Sequence, residues 1–268
     1  MIHCGNCLDF LRNRVEQKDV LPFDLSITSP PYNKLEGRNK GELVKEVQYD
    51  SISDTLPEDL YQQQQIELCN LIYDCTAPGG HFFYNHKMRW SFGELFHPLD
   101  WLRKTKWCIR QEIIWNRTLA SNIRGWRFWN IDERVYWLYK PVGNNLIGTE
   151  LESKYAKLST IWNILPERVN EHPAPYPIDI PTRIICSVLG EESNDNQLIY
   201  DPYSGSGTTW LAADLLGKTF IGTEVSEQYI KDSNSRIHSP PAEDMKRFRK
   251  ELAIYAAPEE NEFFCFDD

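Results

Sequence analysis

The chain has 268 residues, 41% of them hydrophobic and 25% charged, which is enough apolar material for one sizeable α/β core and requires no second fold. A formal net charge of −10 excludes a uniformly basic surface, so a nucleic-acid partner would need a local basic region. No window approaches the ~18 apolar residues of a membrane span, and the opening residues lack a charged segment followed by a long apolar one, so a cytoplasmic protein with no membrane partner is expected.

Near the start, Cys4-Gly5-Asn6-Cys7 matches C-x-x-C, but no second pair with ligand spacing follows it. The seven cysteines, odd in number and irregular in spacing, suit a reducing compartment, and no metal is expected. Phe23 to Thr28 reads as a strand that the prolines of Thr28-Ser29-Pro30-Pro31-Tyr32-Asn33 then stop. The polar stretch Lys34 to Thr55 reads as a long loop and a candidate substrate lid. A helix is expected from about Pro57 to Asp74, with Glu58 and Asp59 in its first turn. Pro78-Gly79-Gly80 reads as a tight turn before a strand opening at His81.

Two further strands are expected at Glu112–Trp115 and Arg134–Tyr139, separated by a loop-like stretch, and Gly143 to Lys157 reads as polar and exposed. Three prolines within His172-Pro173-Ala174-Pro175-Tyr176-Pro177 remove backbone donors, so this piece must be an extended connector, followed by a helix through Ile184, Ile185 and Val188. Gln197–Tyr200 is a short buried strand that feeds the turn Asp201-Pro202-Tyr203-Ser204-Gly205-Ser206-Gly207-Thr208-Thr209. A helix from Trp210 to Leu216 and a strand from Thr219 to Thr223 follow. This alternation argues for an α/β fold with a doubly wound, mostly parallel sheet, in one domain over residues 1–268.

Charge is unevenly spread. From Lys87 to Lys140 there are 11 Lys and Arg against 5 acids, with seven of the nine tryptophans, whereas Ser239 to Asp268 holds 8 acids and 4 basic residues. The basic, aromatic stretch reads either as core plus solvated charge or as a nucleic-acid surface.

In an open parallel sheet, ligands bind beyond the carboxyl ends of strands where the winding switches, and both turns follow such ends. Gly205 and Gly207 let the backbone pass close to a ligand, and the helix after them offers free N–H groups. Glu224 ends the next strand, where an acid would hold a ribose hydroxyl pair. Trp210 stands where a dinucleotide fingerprint needs its third glycine or alanine, and Ala212 stands where a P-loop needs its first glycine. An acidic Asp201 repels pyrophosphate and suits a cationic amine, so a cofactor with an amino acid, a sulfonium and a ribose fits better than a polyphosphate.

The first turn has a sharper chemistry. An exocyclic amine on a base is a poor nucleophile because its lone pair is delocalised into the ring. Acceptors aimed at its hydrogens, here Ser29 Oγ and the Pro30 carbonyl, favour a pyramidal nitrogen and stabilise positive charge developing on it. Pro30 and Pro31 keep that carbonyl aimed, and Tyr32 offers a flat face to an extruded base.

Taken together, Thr28 to Asn33, Asp201 to Thr209, Thr223-Glu224 and His172 to Pro177 resemble four motifs of amino-group DNA methyltransferases that use S-adenosylmethionine: the catalytic motif, the cofactor loop, the ribose acid and the proline-rich cofactor motif. Their order resembles the circularly permuted β group, and the resemblance runs from Gly5 to about Ile230. It implies catalytic roles for Ser29, Pro30, Pro31 and Tyr32. It implies cofactor contacts by Asn6, Thr28, Pro173, Pro175, Asp201, Pro202, Tyr203, Ser204, Gly205, Ser206, Gly207, Thr208 and Glu224. Pro78-Gly79-Gly80 and Ile114-Trp115-Asn116 resemble structural motifs that line the base pocket.

Asn6 stands where the family has an acid, and Tyr203 where phenylalanine is commoner. Because Gly143 to Ile161 is short where family members insert a recognition region, specificity falls to Lys34–Thr55, to Asn116–Glu133 and to homodimer geometry. Lys34, Arg38, Arg117, Arg124 and Arg127 are the candidate DNA contacts.

Ser-Pro-Pro-Tyr with His-Pro-Ala-Pro resembles the cytosine-N4 members, and adenine N6 is the alternative. Cytosine C5 chemistry needs a thiolate, typically from a Pro-Cys pair, and no cysteine here follows a proline. The expected function is methylation of N4 of a flipped cytosine in double-stranded DNA, with a cognate restriction endonuclease as the implied partner. A non-catalytic, cofactor-sensing DNA-binding protein is a more distant reading.

Overall fold

The computed structural model describes residues 1–17, 20–33, 55–91, 93–119, 128–144, 151, 158–167 and 176–256. Lys34, Arg38, Arg124, Arg127, Pro173 and Pro175 lie outside them, as do residues 34–54 of the expected lid.

Eight strands form one sheet: β1 (Ile2–Cys4), β2 (Phe23–Thr28), β3 (Thr76–His86), β6 (Cys108–Asn116), β7 (Asp132–Tyr139), β8 (Ile161–Asn163), β9 (Asn194–Asp201) and β10 (Lys218–Glu224), in the order β1-β10-β9-β2-β3-β7-β6-β8. The pairs from β1 through β3 are parallel, β7 runs antiparallel to both neighbours, and β6 pairs with β8 in parallel. β4 (Arg89–Ser91) and β5 (Glu94–Phe96) make a separate hairpin. The helices are α1 (Cys7–Glu16), α2 (Glu58–Cys75), α3 (Leu99–Leu102), α4 (Asp179–Leu189), α5 (Thr208–Leu215), α6 (Glu227–His238) and α7 (Ala242–Ala256).

Strand alternation sorts side chains onto two apolar faces, as the period of two requires. Leu25, Ile27, Phe83, Val135, Trp137 and Ile199 pack with Ile184 and Leu211 on one face. Phe82, Tyr84, Tyr136, Leu138 and Tyr200 pack with Leu11, Leu68 and Trp101 on the other. The strand at Phe23–Thr28 forms with the expected bounds, and the helix expected from Pro57 spans Glu58–Cys75.

Two expectations need correction. Pro78-Gly79-Gly80 is not a turn ahead of a strand, because β3 already begins at Thr76 and carries the three residues as a bulge. Phe23 pairs with Thr76 and Leu25 with His81, so two steps on β2 face five on β3. Gly80 is needed there, since a Cβ would fall 2.5 Å from Thr76 Cγ2 and 3.0 Å from the Asp24 carbonyl.

The basic stretch is also less open than its composition implies. Trp101, Trp107, Trp115 and Trp137 are core residues. Arg89, Lys106, Arg117 and Arg134 are ion-paired with Glu58, Asp74, Glu133 and Glu112. Folding therefore neutralises much of the local excess of positive charge, whereas Phe128 and Trp129 are exposed. Cys4 is exposed, whereas Cys7 opens α1 and is buried, which pushes its thiol up to about 11.

Candidate active site

β2 and β9 are adjacent and parallel, with Leu25 opposite Ile199 and Ser26 opposite Tyr200. Their carboxyl ends therefore release the two turns side by side. A direct bond ties them: Thr28 Oγ1 donates to Asp201 Oδ1 at 3.2 Å, one residue before Ser29 and four before Gly205. A cavity of about 430 Å³ joins them, lined by Pro31 and Asn33 of the first turn, Pro202 and Tyr203 of the second, Glu224 and Asn6. That volume suits a small-molecule site, for which about 300–1,000 Å³ is usual.

Asp201 is fully buried and braces the meeting point. Its carboxylate accepts from Thr28 Oγ1, from the Tyr203 amide at 3.0 Å and from Thr209 Oγ1 at 2.6 Å. Tyr176, from the proline-rich connector, bonds to Thr209 Oγ1 and joins the same network. Burial pushes the Asp201 carboxyl up to about 7 although its three donors pull the other way.

Behind the glycine turn, α6 presents Ser233 and Arg236 one helical turn apart. Ser233 Oγ donates to the Gly205 carbonyl at 2.9 Å, and Arg236 Nη1 donates to Ser206 Oγ at 3.1 Å and Thr208 Oγ1 at 2.8 Å. Arg236 is held in turn by Asp244 of α7 at 2.9 Å. Gly207, with φ of 76°, is the cap of α5, and a Cβ there would fall 2.9 Å from Ser233. In front, Glu224 Oε2 accepts from the Gly205 amide at 2.9 Å, and Oε1 accepts from Val225 and Ser226. Asn6 Oδ1 accepts from the Leu8 amide at 2.8 Å and so caps α1 at the cavity wall. Tyr203 is partly buried and packs against the second apolar face, at a position where the family favours phenylalanine.

The first turn carries a compact polar cluster. Ser29 Oγ lies 3.1 Å from Asn85 Oδ1 and 3.0 Å from the Tyr32 hydroxyl, which also lies 2.9 Å from Asn85 Oδ1 and 2.8 Å from Glu133 Oε2. The Tyr32 ring sits 4.5 Å from the buried His86 ring. The Tyr61 hydroxyl lies 2.8 Å from both the Pro31 carbonyl and His86 Nε2. Asn33, with φ of 49°, exchanges side-chain bonds with the Leu56 backbone and leans on the buried Arg89–Glu58 pair. Arg117 does not stand as an open cation, since its guanidinium bonds to Glu133 Oε1 at 3.0 Å.

The structure thus brings Asn6, Pro31 and Glu224 to one cavity, with Thr28 and Asp201 buried beside it, Glu224 bonded to the glycine turn, and Ser29 and Tyr32 in a polar cluster on the same turn as Pro31. Sequence reasoning missed Asn85, His86, Tyr61, Glu133, Ser233, Arg236 and Asp244. A signal existed for two of them: Asn85-His86 ends an apolar strand with polar residues at the carboxyl edge, where open sheets place their sites. The others come from helices and from an antiparallel strand, whose approach no spacing reveals.

A twisted sheet with its cavity at the switch between β9 and β2 defines an α/β enzyme of the methyltransferase architecture. The solved PvuII DNA methyltransferase, described as cytosine-N4-specific, superposes with a TM-score of 0.68 over 96% of this chain and 93% of its own, at 16% identity. The solved M1.HpyAVI–SAM complex gives 0.58 over 88% of this chain and 98% of its own, at 20% identity. The chain belongs to the DNA methylase family, N6_N4_Mtase, whose model matches residues 23–235. The type II methyltransferase M.HinfI of Haemophilus influenzae is 24% identical over 87% of this chain and 67% of its own length. M2.LlaDCHI of Lactococcus lactis subsp. cremoris is 24% identical over 81% and 82%. Among the described residues, no helix is long and apolar enough to cross a membrane.

Proposed function

We propose that this DNA methylase transfers a methyl group from S-adenosylmethionine to the exocyclic N4 amine of a cytosine flipped out of duplex DNA. The observation that carries the reading is the Thr28–Asp201 bond beside a cavity shared by both turns, which sets a proline-rich acceptor turn against a glycine-rich cofactor turn. The residues present fit the cofactor. Glu224 brings a carboxylate to the cavity for ribose hydroxyls, Asn6 and Tyr203 form its walls, and the glycine turn admits close backbone approach. When bound, S-adenosylmethionine supplies an electrophilic methyl group on a sulfonium.

The chain's own residues prepare the nucleophile. Ser29 Oγ and the Pro30 carbonyl accept hydrogens of the amine, which localises its lone pair and stabilises the positive charge that grows on nitrogen. Tyr32 stacks on the extruded base, with its ring held by His86 and its hydroxyl by Glu133. No residue has to act as a strong base, because the methylated ammonium is acidic and loses its proton once the transfer is complete. Asp201 acts as a strut between the two turns, since its carboxylate is consumed by internal donors.

Cytosine is favoured over adenine by serine at the head of the first turn, in keeping with the cytosine-N4-specific relative of the same architecture. Arg124, Arg127, Lys34 and Arg38 remain the proposed DNA contacts, and the type II relatives point to a cognate endonuclease. The test is direct: incubate the protein with duplex DNA and labelled S-adenosylmethionine, digest to nucleosides and identify the labelled base by mass spectrometry. Label in N4-methylcytosine is expected. Label in N6-methyladenine would replace the base, and label confined to RNA or protein would replace the substrate.

A further inference from the structure

We infer that Glu133 decides where the hydroxyl hydrogens of Ser29 and Tyr32 point, and so keeps Ser29 Oγ available as an acceptor for the target amine; this rests on the amino-methylation reading above. The two hydroxyl hydrogens are contested by four oxygens. Asn85 Nδ2 donates to the Arg134 carbonyl at 3.0 Å, which assigns the amide and leaves Oδ1 facing Ser29 and Tyr32. That oxygen only accepts, as does the Glu133 carboxylate. Ser29 Oγ and the Tyr32 hydroxyl lie 3.0 Å apart, so without a stronger acceptor Tyr32 could donate into Ser29 and occupy one of its lone pairs.

Glu133 wins that competition. Its Oε2 is 2.8 Å from the Tyr32 hydroxyl, and hydrogen bonds to an ionised acceptor are about twice as strong as neutral ones. Arg117 pairs with the other oxygen, Oε1, at 3.0 Å, so Oε2 is the one turned to the phenol. With the phenol hydrogen drawn to Glu133, the Ser29 hydrogen goes to Asn85 Oδ1 or to the phenol oxygen, and the Ser29 lone pairs are left for an incoming N–H. Topology delivers the arrangement: β7 is antiparallel, so its first residues lie beside the last residues of β3, with Asn85 opposite Val135 and His86 opposite Arg134. Glu133 acts through Tyr32 and is a positioning residue.

The test uses Glu133→Gln, which keeps the shape but offers the phenol oxygen an N–H donor, so the Tyr32 hydrogen turns back toward Ser29 or Asn85. A fall in kcat of about 100-fold is expected. Affinity for S-adenosylmethionine should stay within about 3-fold, because the cofactor turn is untouched. The decisive measurement is the double variant Glu133→Gln/Tyr32→Phe, which keeps the aromatic ring and deletes the misdirected hydrogen. Recovery of about 10-fold over Glu133→Gln is expected. A merely structural role for Glu133 gives no recovery, since the broken Arg117 pair persists in the double variant.

An unaffected Glu133→Gln, or a double variant no better than the single one, overturns the inference. Should Glu133→Gln not fold, Glu133→Asp decides: it keeps the charge but draws the carboxylate back from the Tyr32 hydroxyl, so a fall in kcat of about 10-fold with cofactor affinity held within about 3-fold is expected, and a native kcat overturns the inference. The native protein in the same assay reports on the underlying reaction separately, since a native chain that methylates no DNA strikes that reading and not the role of Glu133.

Discussion

Ser29 is the residue on which the proposed chemistry turns, and its hydroxyl is placed by Asn85 and Tyr32. Replacing it with alanine removes an acceptor that works only as charge develops on the amine. Ser29→Ala is expected to lower kcat about 100-fold while leaving cofactor affinity within about 3-fold, measured by single-turnover methylation and by calorimetric titration. Equal losses in both would contradict its role. Asp201 gives a prediction of a different kind. Its carboxyl, held up at about 7 by burial, binds a proton more tightly in the folded chain than in the unfolded one, where the ordinary value is 3.8. The stability it contributes is therefore full below pH 3.8 and is lost as pH rises to about 7. Asp201→Asn keeps an acceptor for Thr28 and Tyr203, and Thr209 can reverse its hydroxyl toward Tyr176. The Tm of Asp201→Asn relative to the native protein should accordingly rise from about pH 4 to about pH 7; a parallel pair of curves would remove the assignment.

Among the elements, α6 and α7 do for the glycine turn what the turn cannot do alone. A turn with two glycines at positive φ has the most freedom to lose on folding, and Arg236 restrains it from behind with bonds to Ser206 and Thr208. The Arg236 and Asp244 side chains are 8% and 4% exposed, so removing one leaves the other charge stranded. Arg236→Ala is expected to cost about 3–5 kcal/mol, seen as a fall in Tm on the order of 10 °C, and to weaken cofactor binding as well. A Tm within about 2 °C of native would show that the pair is dispensable. Strong local patterns made several elements legible in advance. The apolar run at Phe23–Thr28 and the helix opened by Glu58 and Asp59 formed where their periodicity and first-turn acids put them. The three-residue strands β1 and β8 carried no such pattern, because their pairing to β10 and β6 supplies the order that three residues cannot encode. Pro78-Gly79-Gly80 misled for a related reason: turn residues also serve a bulge, and only the partner strand says which.

At the scale of the whole molecule, the cavity closes only when remote segments meet: Asn6 near the beginning, the proline turn, Tyr61 and Gln65 of α2, Pro202 and Tyr203 of the second turn, and Glu224. A ligand bound only there stabilises the fold by mass action. S-adenosylmethionine at ~100 times its Kd should add ~2.7 kcal/mol and raise Tm by roughly 5–10 °C in the native chain and in Ser29→Ala alike. Absence of any shift would remove the cofactor assignment. The amino-acid sequence by itself determined the two turns, their order and the chemistry each can offer, because proline, glycine, serine and the strand-end acids impose local geometry and local charge wherever they stand. Only the tertiary structure decided which charges remain open and which are spent. Arg117 reads as a cation free for phosphate until β7 brings Glu133 against it, and Asp201 reads as a ligand until Thr28, Thr209 and Tyr203 consume its oxygens. Thr28 reaches Asp201 from 173 residues away and Glu133 reaches Arg117 across paired strands, and hydrogen-bond competition depends on distances of about 3 Å that no sequence spacing records.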